Sequence, residues 1–139
     1  MEKRVKRRIF IERSVKVMAG AGLVAAASCS SPEKPELGKL FIHHVFFWLK
    51  DPENQDARTK FEKAARELVT IETIIDHHIG VPAPSAREVI DSSYTYSVLT
   101  TYRNKDDQDI YQTHPKHLKF IEDCQDFWER VLVYDTVSI

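Results

Sequence analysis

The first strong pattern in the chain is a stretch from Leu40 to Lys50 in which almost every residue is apolar. Its density of Phe, Val, Ile and Trp predicts a β-strand. Alternate residues of a strand point to opposite sides of the sheet. One side carries Phe41, His43, Val45, Phe47 and Leu49, and the other carries Ile42, His44, Phe46 and Trp48. Both sides are therefore largely apolar.

An antiparallel sheet with helices on one side normally exposes polar residues on its other side. Because the strand at 40–50 lacks such a polar side, we expect something to cover it. The chain has helix-forming segments for one side only, so a second copy of the same sheet is the simplest cover. We therefore expect a homodimer.

The rest of the pattern predicts a ferredoxin-like domain. Asp51-Pro52 is typical of a helix start, and apolar residues then recur at helical spacing through Val69. Further elements are predicted as strands at 74–81 and 94–102, a short helix after Asn104, a helix from Pro115 whose apolar side runs to Val131, and a strand at 132–137. The order β-α-β-β-α-β, broken at His114-Pro115, indicates an α+β fold with one antiparallel four-stranded sheet.

Residues 1–28 differ from this pattern and resemble an export signal. Lys and Arg are dense between Lys3 and Arg13, and the segment 17–28 is small or apolar without a charge. This apolar run is about a dozen residues, short of the roughly 20 that a membrane-spanning helix needs. Residues 7–11 also resemble a twin-arginine signal. We expect export to a bacterial cell envelope.

Cys29 follows Ala26-Ala27-Ser28, which resembles a lipoprotein cleavage box. We expect lipid attachment at Cys29 and a protein that is periplasmic or anchored to the membrane by this lipid; the alternative is plain cleavage near Ala27. Residues 29–38 are rich in Ser, Pro, Glu and Lys, a composition typical of a flexible tether. Residues 39–139 then form the folded domain.

The charge of the mature chain excludes one class of function. Removal of residues 1–28 leaves thirteen basic residues against nineteen acidic ones, a net charge near −6. Nucleic-acid binding depends on neutralising phosphates, so we exclude that class of partner. Cys29 and Cys124 are the only cysteines, so the sequence supports neither a disulfide framework nor a cysteine-based metal site.

The candidate chemistry lies around Tyr111 and His117. A helix that begins at Pro115 turns His117 towards its apolar side, which carries Phe120. An imidazole titrates near neutral pH and a phenol donates to a developing oxyanion, so the two can transfer protons beside an apolar ligand. Further candidates for ligand contact are His43, Val45, Phe47, His78 and Tyr96.

Other interpretations of these residues stay open. His43 could be a hydrogen-bonded core residue, Tyr111 and Phe120 could be ordinary packing, and His114 is more typical of a helix cap. His77 and His78 are adjacent on one strand and point to opposite faces, with His78 expected to point inward. His114 and His117 have near-ligand spacing, but no carboxylate or cysteine completes a metal set, so we expect neither metal nor cofactor.

Three segments resemble the stress-responsive dimeric α/β-barrel family. They are His43 with Lys50, the Tyr-x-x-His-Pro-x-His element at 111–117, and the segment from Phe127 to Asp135. The resemblance runs from about Leu40 to the C-terminus, and the element at 111–117 is similar to that of the plant olivetolic acid cyclase branch.

This resemblance implies a function as well as a dimer. In the cyclase branch, Tyr and His of the element carry out an intramolecular aldol condensation without a cofactor, which implies that Tyr111 polarises a carbonyl and that His117 is the general base. The cyclase has a further His after a Tyr-Thr pair, where this chain has Tyr96 after Tyr94-Thr95. Two classes therefore stay open: a cofactor-free cyclase, lyase or monooxygenase, and a non-enzymatic envelope protein that binds a ligand or acts in stress.

Overall fold

Strand β1, at Phe41–Leu49, is an interior strand of the sheet in the computed structural model, which describes residues 37–139. Within these residues the sheet has the order β2-β3-β1-β4 and every pairing is antiparallel. Its other strands are β2 at Asp76–Gly80, β3 at Tyr96–Tyr102 and β4 at Trp128–Thr136. The ferredoxin-like prediction is confirmed.

Three helices of the described chain pack on one face of the sheet. They are α1 at Gln55–Leu68, α2 at Lys105–Thr113 and α3 at Pro115–Cys124. Phe61 of α1 and Phe120 of α3 both contact the ring of Phe47 on β1. The predicted export segment, Cys29 and the tether up to residue 36 lie outside the described residues, and Leu37–Lys39 form one turn of 3-10 helix.

The residues of β1 alternate between the two faces of the sheet as the sequence predicts. The helix-side face carries Phe41, His43, Val45, Phe47 and Leu49, all of which are buried. The residues between them, which we call the open face, are half-buried: Ile42, His44, Phe46 and Trp48. Within residues 37–139, the helices therefore cover one apolar face of the sheet and no helix covers the other.

The first helix begins later than predicted. Asn54, not Asp51, is the N-cap, and its side chain accepts a hydrogen bond from the amide of Ala57 at 3.0 Å. The carboxylate of Asp51 instead accepts from the amide of Glu53 at 3.2 Å. Asp51-Pro52 therefore forms a turn after β1, and the helix starts at Gln55.

The last strand begins earlier than predicted, at Trp128, so Trp128 and Val131 belong to the sheet and not to the preceding helix. Helix α3 ends at Cys124, and the amide of Phe127 donates to the carbonyl of Cys124 at 2.9 Å to close the turn. Strand β4 then pairs with β1 from Ile42 to Leu49. This long ladder of hydrogen bonds places Trp128 and Val131 in a strand, although their spacing from the apolar residues of α3 is also compatible with a helix.

Phe61 is the centre of the core. It is fully buried, stacks on the ring of Tyr96 at 4.6 Å, and meets the rings of Phe47, Phe120 and Trp128 edge-on. Around it, Leu68 and Ala65 of α1 and Val98 of β3 complete the contact between helices and sheet. None of the helices within 37–139 is long and apolar enough to cross a membrane.

Replacement of Phe61 by Ala should lower the free energy of unfolding by about 3–5 kcal/mol, because it removes a buried ring and leaves a cavity. Urea unfolding followed by circular dichroism measures this loss. Val89 is 86% exposed, so Val89→Ala should change the same quantity by less than about 0.5 kcal/mol. A loss below about 1 kcal/mol for Phe61→Ala would contradict this description of the core.

Candidate functional site

A cavity of about 250 Å³ lies between the sheet and the helices α2 and α3. Its wall is mainly apolar, formed by Val45, Phe47, Leu68, Val98, Phe120, Ile121, Trp128, Val131 and Val133. Its polar lining comes from His43, Tyr111, Gln112 and His117. The cavity thus has one polar end and an extended apolar body, an arrangement typical of small-molecule sites.

The break between α2 and α3 brings His117 next to Tyr111. His114 is extended, with φ −67° and ψ 139°, which ends α2 and lets the chain change direction before Pro115 starts α3. The Nδ1 atom of His114 accepts a hydrogen bond from the amide of Lys116 at 3.1 Å and so caps α3. As a result the rings of Tyr111 and His117 lie 4.6 Å apart.

The hydrogen bonding of His117 fixes its tautomer. Its Nδ1 atom lies 2.9 Å from the backbone carbonyl oxygen of Gln112. Because a carbonyl can only accept, Nδ1 must carry the proton, and Nε2 of the neutral ring is left with its lone pair. Burial lowers the pKa of His117, the Gln112 carbonyl acts in the opposite direction, and the nearby His43 lowers it further. His117 is therefore a neutral proton acceptor near pH 7.

A carboxylate fixes His43 in a similar way. Its Nδ1 atom lies 2.6 Å from Oδ1 of Asp135, the residue directly opposite on β4. A carboxylate can only accept, so the Nδ1 atom of His43 donates this hydrogen bond. The ring of His43 is 5.8 Å from that of Tyr111. Two imidazoles, each donating a hydrogen bond from Nδ1, therefore flank one phenol.

Tyr111 is a hydrogen-bond donor and not a base at this site. Burial raises its pKa well above the ordinary value for a phenol, while a hydrogen bond from Tyr102 acts in the opposite direction. Tyr102 is fully buried, its pKa is also raised by burial, and its hydroxyl lies 2.9 Å from that of Thr100. Three hydroxyl groups from β3 and α2 thus form a chain that ends at Tyr111.

Most of the predicted ligand-contacting residues meet at this cavity. His43, Val45 and Phe47 come from β1, Tyr111 from α2, and His117 and Phe120 from α3. His43 is both buried and hydrogen-bonded, so the core interpretation and the cavity interpretation describe the same side chain.

Tyr96 lies elsewhere, in the core between the sheet and α1. Its hydroxyl donates to Glu62 at 2.7 Å, and its ring stacks on Phe61. Burial and the bond to Glu62 raise the pKa of Tyr96 to about 12. The expectation that Tyr96 lines the cavity is wrong because this position faces α1, whereas the cavity lies towards α2 and α3.

His78 is also misplaced by the sequence interpretation. It pairs with Leu99 on β3, which puts it on the open face of the sheet, and it is exposed. His77 is the neighbour that shares the helix-side face, but β2 is an edge strand and His77 is exposed as well. Strand parity correctly separates the two histidines, but the inward assignment of His78 is wrong.

Sequence reasoning missed Asp135, Tyr102 and part of the cavity wall. Asp135 carries no local signal of a site, because its pairing with His43 follows from the register of β4 on β1. Trp128, Val131 and Val133 line the cavity because β4 starts early. Within residues 37–139, no three His, Cys, Asp or Glu side chains are arranged to hold a metal ion.

Comparisons with solved structures identify the same fold in other organisms. A Dabb family protein from Mesorhizobium loti with a ferredoxin-like fold is 22% identical, with a TM-score of 0.60 over 72% of this chain and 97% of that one. A dimeric ferredoxin-like protein of unknown function from Thermobifida fusca is 17% identical, with a TM-score of 0.59 over 70% and 90%. A hydroxynitrile lyase from Passiflora edulis is 16% identical, with a TM-score of 0.62 over 73% and 95%.

At these identities the structural similarity shows the fold alone. A search of curated proteins found no matching sequence. A family model for the stress responsive A/B barrel domain matches residues 41–138, which is most of the chain and includes every strand and helix around the cavity. This chain therefore belongs to the stress responsive A/B barrel domain family.

Proposed function

We propose that this domain binds a small, largely apolar carbonyl compound and that Tyr111 and His117 catalyse proton transfer on it without a cofactor. The main support for this proposal is the position of Tyr111 and His117, whose rings lie 4.6 Å apart at the polar end of an otherwise apolar cavity. The Nδ1 contact to Gln112 supports the role of His117, because it leaves Nε2 available as a base.

In this proposal the hydroxyl of Tyr111 donates to the carbonyl oxygen of the ligand. Neutral His117 takes a proton from the carbon next to that carbonyl. The negative charge then moves to the oxygen held by Tyr111, and His117 becomes an imidazolium. The protonated phenol suits this role, since burial keeps Tyr111 from ionising.

The apolar wall supports the choice of ligand class. Phe47, Phe120 and Trp128 can bury a hydrocarbon or aromatic portion of the ligand and exclude water from the polar end. One solved structure with this fold is a hydroxynitrile lyase, so the fold is compatible with a lyase activity. A cyclisation of the kind found in the olivetolic acid cyclase branch uses the same two roles.

The proposal also includes a homodimer formed through the open face. Phe46 contacts the rings of His44, Tyr94 and Tyr134 there, and Tyr134 is 55% exposed. An aromatic cluster of this kind on an uncovered sheet suits an interface with a second copy. Solved structures from Thermobifida fusca, Bacteroides fragilis and a Jannaschia species are described as dimeric proteins with this fold.

We further propose that the protein acts in the cell envelope. The signal-like segment 1–28 and the cleavage box before Cys29 support export and lipid attachment. Labelled palmitate should enter the full-length protein and be absent from Cys29→Ser. Incorporation that survives this substitution would refute lipid attachment at Cys29.

A non-enzymatic ligand-binding protein is the second candidate, and the environment of Tyr96 favours it. The position that the cyclase branch fills with a third histidine holds a phenol bonded to Glu62 inside the core. The cavity therefore has one base fewer than that branch. Under this alternative the same ligands bind and no proton is exchanged.

The two candidates differ in whether the protein exchanges protons next to a carbonyl. Incubation with acetophenone in D₂O, followed by proton NMR of its methyl signal, measures this exchange directly. His117→Ala should slow the catalysed exchange about 10²-fold because it removes the base, and Tyr111→Phe should slow it about 10²-fold because it removes the donor to the developing oxyanion.

Two exposed residues give matched controls for this experiment. His77→Ala and Tyr134→Phe make the same changes outside the cavity, at positions that are exposed. Both controls should keep the exchange rate of the unaltered protein. Equal rates for all four variants would eliminate the acid-base pair and leave the binding-protein alternative.

The exchange rate should also depend on pH in a definite direction. Because burial lowers the pKa of His117, the ring stays neutral at pH 7 and becomes protonated only below the ordinary imidazole value of about 6.5. The catalysed rate should therefore be level around neutral pH and fall on acidification, with its midpoint below that value. A midpoint above it, or the same profile in His117→Ala, would contradict the assignment.

The dimer is tested by a charge placed on the open face. Phe46→Glu should shift the protein from dimer to monomer in analytical ultracentrifugation at micromolar concentration, because a carboxylate would be buried between two sheets. Leu118→Glu is the matched control, since Leu118 is 55% exposed on α3 and lies away from the sheet. A monomeric unaltered protein, or a dimeric Phe46→Glu, would refute this interface.

A further inference from the structure

The charge around the polar end of the cavity is distinctive because a carboxylate lies beside it and neither Lys nor Arg is among its lining residues. Among the described residues that line it, none is Lys or Arg. Asp135 lies beside this lining, 2.6 Å from Nδ1 of the buried His43, and its own side chain is 43% exposed. The polar end is thus lined by two imidazoles, a protonated phenol and Gln112, with one carboxylate beside it.

Three cationic side chains on the segments that surround the cavity interact with other groups. Arg103, which follows β3, holds Asp107 through two hydrogen bonds of 2.6 and 3.1 Å. Lys116 in the first turn of α3 reaches Thr70 and Glu67 of the neighbouring helical segment. Arg130 on β4 lies over the ring of Trp48, which belongs to the open face. None of these three is part of the cavity wall.

The register of the sheet holds Asp135 beside the polar end of the cavity. It is directly opposite His43 in the β1–β4 ladder, so both side chains project from the helix-side face. Its charge also reaches Tyr102, whose pKa it helps to raise. A carboxylate in this position offers only acceptor atoms and repels a second negative charge across a partly desolvated space.

We propose that the cavity takes neutral carbonyl compounds and that Asp135 is the residue that excludes their anionic counterparts. A ligand carboxylate at the polar end would come close to Asp135, and no Lys or Arg of the cavity lining is there to offset the repulsion. A ketone or aldehyde of the same shape carries no such charge and still accepts from Tyr111. This inference rests on the proposed function and adds to it the charge class of the ligand.

Acetophenone and benzoate form a suitable pair of probes because they have nearly the same size and differ in charge. Their dissociation constants are measured by isothermal titration calorimetry at pH 8, above the ordinary imidazole range. The unaltered domain should bind acetophenone at least about tenfold more tightly than benzoate, as expected for one unfavourable charge contact.

Asp135→Asn tests the role of the charge itself. The asparagine keeps an oxygen that can accept from Nδ1 of His43 and removes the negative charge. Benzoate affinity should increase about tenfold, with acetophenone affinity within about twofold of its original value. Asp126→Asn is the matched control, since it removes a carboxylate from an exposed position and should leave the affinity ratio unchanged.

The possible outcomes separate this inference from the proposed function. Binding of neither probe would overturn the carbonyl-binding function and this inference with it. Tight binding of both probes, or an affinity ratio that Asp135→Asn leaves unchanged, would overturn the charge selection alone. If Asp135→Asn does not fold, Asp135→Ser gives the same test of charge, and the ratio in the unaltered protein stands as an independent measurement.

Discussion

Strand β1 is the element on which both the core and the cavity depend. Its helix-side residues are all buried, but they serve two different regions. Phe47 packs against Phe61 in the core and also lines the cavity, while His43 lies at the polar end. Because successive helix-side residues are two positions apart in one rigid strand, the polar end is held at a fixed distance from the aromatic core.

The polar end shows how hydrogen bonds from separate parts of the chain can orient buried titratable groups. His117 is fixed by a backbone carbonyl, His43 by a carboxylate, and Tyr111 by a chain of hydroxyl groups that starts at Thr100. Each partner is supplied by a different element, so the arrangement depends on the tertiary fold. An apolar wall strengthens these interactions because little water competes for the same atoms.

The sequence predicts the element order well because its apolar periodicities are strong. Strand β1, the broken second helical region and the role of His114 as a cap all follow from local patterns. The start of α1 and that of β4 do not, because a turn at Asp51 and a long ladder on β1 override the local signal. Sequence parity also cannot say which face of β2 points inward, since that depends on its pairing with β3.

The candidate site is predictable to the extent that its residues belong to one short motif. Tyr111 and His117 are six positions apart, and their proximity follows from the helix break between them. Asp135 and Tyr102 are distant in sequence and become neighbours of His43 and Tyr111 only through sheet register and helix packing. The resemblance to the cyclase branch assigns Tyr96 to the cavity, but its ring packs against Phe61 of α1 instead.

The extended residue at His114 has a consequence for how such a site can vary. Tyr111 and His117 belong to two short helices, so the distance between the phenol and the imidazole is set by the angle at the break between them and not by helical pitch. Substitutions in the few residues around Pro115 can therefore change the orientation of the imidazole and leave the apolar wall of the cavity unchanged. A scaffold with this break can acquire a different reaction geometry without rebuilding its interior.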